Sequence, residues 1–133
     1  MLSSFEKSLL VTLVLVRLGI WAFSYLSDEL IDDHDYSSHI LLMDKDQKEM
    51  TMVSKLFKCF VRWDALFYIG IAENDYEYLK NHAFFPFYSK VVRDLADTLV
   101  RPLHIFSHLD ALIVTGIALN FVASLLCVII FYR

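Results

Sequence analysis

The sequence predicts an all-α membrane protein in which two transmembrane helices flank one large loop that carries amphipathic interface helices. Long apolar runs lie near both ends of the 133-residue chain, 57% of the residues are hydrophobic, and only three Gly and two Pro are present. A soluble domain averages about 45–50% apolar residues, and a compact β-domain needs many turn residues. Neither description fits.

The first span runs from about Leu9 to Leu26, within a segment covering residues 1–27 that also holds Lys7. At about 1.5 Å per residue it is just long enough to cross a bilayer. A cleaved secretory signal competes with that reading, because Leu9 to Val16 resembles a short apolar core and Ala22-Phe23-Ser24 a cleavage neighbourhood. Arg17 and the apolar run through Leu26 count against cleavage. Within a span, Arg17 should face protein or a polar cavity rather than lipid. It either snorkels or pairs structurally, or it meets a lipid-linked phosphate.

Residues 28–108 form the loop. Its acidic start, Asp28-Glu29 and Asp32-Asp33-His34-Asp35, lacks the ligand spacing of an EF-hand or zinc motif, so no metal site is assigned. Ser37 to Thr51 is a polar, exposed connection. From Met52 the apolar residues take a helical period: Lys55, Lys58 and Arg62 share one stripe, while Val53, Phe57, Phe60, Phe67 and Ile71 lie opposite. That pattern suits a helix lying in the membrane interface. On a continuous helix Asp64 projects from the apolar side, where an ionised carboxylate is costly and its pKa is pushed upward, towards that of a useful base. If the helix instead breaks near Trp63, Asp64 becomes the N-cap of a second helix through Glu73.

Asn74-Asp75 then signals a turn, and Ala83-Phe84-Phe85-Pro86-Phe87-Tyr88 forms a dense aromatic patch suited to a membrane interface. Ser89 to Leu103 reads as a second amphipathic element limited by Pro102. The second span, Leu109 to Tyr132 within residues 109–133, has Asp110 as a boundary residue and Asn120 for hydrogen bonding between helices. Loops longer than about 60 residues carry little weight in the positive-inside rule, so Lys7 and Arg133 decide orientation: termini cytosolic, loop lumenal. Cys59 and Cys127 fall in separate segments, and no disulfide is expected. A net charge of −4 argues against nucleic acid as a partner.

Arg62-Trp63-Asp64-Ala65-Leu66-Phe67-Tyr68, Ile71-Ala72-Glu73, Tyr76-Glu77-Tyr78 and Ala83-Phe84-Phe85-Pro86 together resemble the GPI mannosyltransferase 2 family of the glycosyltransferase C superfamily. Arg17, Asp33-His34 and Arg101-Pro102-Leu103 extend the resemblance over most of the chain. It implies a multi-pass protein of the endoplasmic reticulum membrane that transfers the second mannose, in α1,6 linkage, from dolichyl-phosphate mannose to the GPI glycolipid precursor. It also implies that Asp64 is the general base on the acceptor hydroxyl. Arg17 or Arg62 would offset the donor phosphate, and Trp63, Tyr68, Phe84 and Phe85 would pack on polyprenyl chain or sugar. No cofactor is implied beyond the lipid-linked donor.

The chain departs from the family pattern in having Asp75 where Gly is favoured and Leu79 where an acidic residue is favoured. Family members continue through many more membrane helices, so the chain is read as an amino-terminal portion that is inactive alone. The alternative is a non-catalytic interaction protein of the same membrane, whose aromatic loop docks on a partner subunit.

Overall fold

In the computed structural model the described residues are 3–31, 51–76 and 82–132. The acidic run Asp32-Asp33-His34-Asp35, the polar connection up to Met50, and Leu79 lie outside them. The described residues contain helices and no strand. They divide between two compact units, Met1–Asp32 with Ile117–Arg133, and Asp33–Gly116.

In the first unit, helix α1 spans Ser4–Leu30, longer at both ends than the apolar run. A capping box explains the earlier start. The Ser3 hydroxyl accepts from the Glu6 N–H at 3.1 Å, and the Glu6 carboxylate accepts from the Ser3 N–H at 2.6 Å. These bonds satisfy amide groups that a bare helix end leaves unpaired. No residue of α1 is buried, and Leu15 and Phe23 are 63% and 73% exposed. Beside it in this unit runs the outer part of the last helix, α5 (His108–Phe131), where Val122, Leu126 and Ile130 are also exposed. Apolar surface of this extent is unfavourable in water and suited to lipid. Both helices are long and apolar enough to cross a membrane.

The second unit is a cluster of short helices. Helix α2 (Met52–Phe57) passes into a 3-10 turn at Lys58–Phe60. Helix α3 (Asp64–Asn74) follows, then α4 (Pro86–Leu95), a π-turn at Ala96–Val100 and a second 3-10 turn at Arg101–Leu103. The first turns of α5 complete it. A single amphipathic helix from Met52 past Asp64 is therefore not what forms. The chain breaks at Val61–Trp63, and the basic stripe of Lys55, Lys58 and Arg62 loses its common phase.

Helix α4 starts at Pro86 rather than Ser89, because proline's missing N–H costs nothing in a first turn. Its inward side buries Ser89 and Val92. These join Val61, Ile69, Ile71, Ala72, Ala96, Ala111, Leu112 and Ile113 in one core. Complete burial of a side chain such as Leu112 stabilises by about 1.5–3 kcal/mol. At Gly116 a β-carbon would meet the Tyr88 hydroxyl at 3.4 Å and Ile69 Cδ1 at 3.9 Å, so α3 and α4 both approach α5 closely there.

Candidate functional site

The break before α3 is a tight turn, Arg62-Trp63-Asp64-Ala65, closed by the Ala65 N–H donating to the Arg62 carbonyl at 3.0 Å. Trp63 has φ 51° and ψ −125°. This is close to the about +60°, −120° required at the second residue of a type II′ turn, a position that favours glycine. A β-branched or bulky residue at positive φ is a genuine outlier, costing on the order of 1–3 kcal/mol. The indole itself is 82% exposed.

Asp64 is the first residue of α3 rather than its N-cap; the cap is Trp63, which makes no side-chain cap bond. The carboxylate is exposed, so the desolvation expected from an apolar face is absent among the described residues. The reason is the turn itself, since breaking the helix resets the phase that placed Asp64 among Phe and Ile. No hydrogen bond or ion pair ties Asp64 to another described residue. In the first turn it is also favoured by the positive end of the helix dipole.

Beyond it, Tyr68 and Phe84 come together. Their rings meet edge to face at 5.3 Å, Phe67 stacks on Phe84 at 4.5 Å, and Tyr88 meets Tyr68 at 5.4 Å. The Tyr76 hydroxyl donates to the Phe84 carbonyl at 2.7 Å and pins the segment. Phe85, next in the chain, is 75% exposed. Tyr68 and Phe84 are thus partly committed to packing, whereas Trp63 and Phe85 present open aromatic surface. Arg62 is half-buried and partnered.

The far end of α3 is held by Arg93 of α4. Its guanidinium donates to the Ile71 carbonyl and to the Asp75 carboxylate, each at 2.8 Å, and also to the Ala72 carbonyl. The Ile71 carbonyl also accepts from the Asp75 N–H at 2.9 Å, so the arginine reinforces the end of the helix. Asp75 takes φ 58° and ψ −154°, a positive-φ backbone outside the left-handed helical well. Nearby, the Ser89 hydroxyl donates to the Tyr68 carbonyl at 2.8 Å.

Asp110 lies in the first turn of α5, at the boundary of the apolar run, and is 3% exposed. Its carboxylate accepts from Thr51 Oγ1 at 2.7 Å, Ser54 Oγ at 2.8 Å and Ser107 Oγ at 2.8 Å. The pattern Ser107-x-x-Asp110 ahead of an apolar run is a capping-box signal, and it marks this residue in the sequence. Its reach to Thr51 and Ser54 has no such signal.

Arg17 belongs to the first unit. Its guanidinium donates to Ser124 Oγ at 2.7 Å, and that hydroxyl donates to the Asn120 carbonyl at 2.8 Å. The arginine therefore makes a polar bond between helices, the arrangement expected for such a residue in a membrane span. Cys59 and Cys127 are not joined in a disulfide.

Described residues that form helices and no strand, two of those helices being apolar enough to span a bilayer, and an exposed carboxylate with no partner among the described residues at a strained turn, define a class: membrane proteins with a candidate acid–base group at a helix start. The family follows from comparison. A family model described as Mannosyltransferase (PIG-V) matches residues 6–133, and the chain belongs to that mannosyltransferase family. No curated protein and no solved structure matches it.

Proposed function

We propose that the chain is the base-bearing amino-terminal part of an enzyme that transfers the second, α1,6-linked mannose from dolichyl-phosphate mannose to the GPI precursor at the lumenal face of the endoplasmic reticulum. The observation carrying this reading is the family match across the Asp64 turn, where an exposed carboxylate is free of other described partners. Asp64 takes the proton of the acceptor hydroxyl as its oxygen attacks the anomeric carbon. The bond from that carbon to the dolichyl phosphate breaks, and the phosphate leaves with the electron pair. Attack from the opposite face converts a β-linked donor into an α-linked product.

Asp64 is exposed, and the lipid-linked substrates would exclude water from it as they bind. Arg62 offsets the charge of the leaving phosphate, and Trp63 and Phe85 offer the open aromatic faces for sugar or polyprenyl chain. The second unit's short helices would lie in the interface, with the chain inactive without further membrane helices to enclose both substrates.

The test is complementation of cells lacking the second GPI mannose step, using the full chain that the gene encodes. Wild type should restore surface GPI proteins and Asp64→Asn should not; equal rescue by both would sink the base assignment.

A further inference from the structure

The strained turn at Trp63 needs anchoring on both sides, because an unfavourable backbone geometry persists only where its surroundings over-determine it. Downstream, α3 is fixed by Arg93 on its last carbonyls and by Ser89 on the Tyr68 carbonyl. Upstream, the chain between α2 and Asp64 contributes one fully buried apolar side chain, Val61, at 2% exposure. Lys58, Cys59 and Arg62 of the same stretch have partners of their own, and the start of α2 is a further fixed point. There Thr51 caps the helix by accepting from the Ser54 N–H at 3.0 Å, while both hydroxyls donate to Asp110.

The same carboxylate serves the start of α5, where it accepts from Ser107 Oγ while the Asp110 N–H donates back to that oxygen at 3.2 Å. One buried aspartate thus joins the N-termini of α2 and α5. Charge-assisted hydrogen bonds are roughly twice as strong as neutral ones, and losing one leaves a buried polar group unpaired.

We infer that Asp110, with Thr51 and Ser54, is a positioning latch: it holds the start of α2 against α5 so that the Trp63 turn stays strained and Asp64 stays at its tip. The inference rests on Asp64 being the base. None of the three latch residues touches substrate; they act through α2 and the six residues, 58–63, that join it to Asp64.

The test uses the full membrane-embedded chain and two readouts. The variants are Asp110→Asn, the pair Thr51→Val with Ser54→Ala, and Thr51→Ser, which keeps the hydroxyl. Ser3→Ala is the control, which removes the cap of α1 in the other unit. Amide hydrogen exchange from Val61 to Leu66 should accelerate in the first two variants and stay at the wild-type rate in Thr51→Ser and Ser3→Ala. Turnover per folded molecule should fall by about 10- to 100-fold in the first two, the scale expected of a misplaced catalytic group, with KM for the donor nearly unchanged. Thr51→Ser should restore it.

Unchanged exchange from Val61 to Leu66 would overturn the latch. So would a loss of turnover no larger than that of Ser3→Ala. If Asp64→Asn proves fully active, the base assignment fails separately, and the exchange measurement still decides whether Asp110 holds the turn.

Discussion

Trp63 occupies backbone angles that glycine adopts without steric cost, yet it leaves its indole almost wholly in the open. Packing therefore does not account for a tryptophan there. Trp63→Gly should relieve the strained φ and, after glycine's own entropic cost, raise stability by about 1 kcal/mol. Thermal unfolding of the purified protein reads this directly, and a fall in midpoint would show that the turn is not strained. Turnover should fall in the same variant, because the open aromatic face is lost. Asp64 presents the complementary case: a residue marked in the sequence by its polarity, whose surroundings follow from the turn before it rather than from helical phase. Asp64→Asn changes the charge with almost no change in shape, so loss of complementation would isolate the carboxylate's chemistry.

Among the elements, α3 shows how much local sequence can be overruled. It is opened by a strained tryptophan and closed by an aspartate at positive φ, with its last carbonyls met by an arginine from α4. Gly70 lies in its middle, and a β-carbon there would meet nothing within 4 Å. Gly70→Ala should therefore stabilise the protein by about 0.5–1 kcal/mol through helix propensity and reduced freedom of the unfolded chain. An unfolding midpoint below that of wild type would mean that the small residue serves a contact outside this chain. Gly116 contrasts with it, since the Tyr88 hydroxyl stands 3.4 Å from the position of its missing β-carbon. The surface pairs Lys90–Asp94 at 3.2 Å and Arg101–Asp97 at 2.9 Å decorate α4 and the turns after it. Exposed pairs of this kind are worth only about 0.2–1 kcal/mol; the part-buried bonds of Arg93 to α3 and the bonds of the buried Asp110 govern the architecture.

For the whole molecule, the open question of function is which side of the membrane receives the Asp64 turn. The proposed orientation puts residues 28–108 in the lumen. Glu49→Asn completes an Asn-x-Thr acceptor pattern with Met50 and Thr51. In cells this variant should gain one glycan, seen as an endoglycosidase-sensitive shift in mobility. A protein that is membrane-inserted and unmodified would reverse the assignment, since a cytosolic loop never meets the transferase.

Composition and the two apolar runs determined the helical class and the candidate spans, because covering some twenty residues in apolar side chains has one stable outcome in lipid, whatever the rest of the chain does. The order of Trp63-Asp64, Ala83-Phe84-Phe85-Pro86 and their neighbours likewise carried the family, which the match over residues 6–133 shows. Tertiary structure alone decided that the helix from Met52 breaks at Trp63, that Asp64 is exposed, and that Asp110 is buried. Periodicity assumes a continuous helix and reports only which residues share a face. Whether a helix continues depends on hydrogen bonds between residues far apart in the chain, such as Thr51 and Ser54 to Asp110 across more than fifty positions, and no local pattern records them.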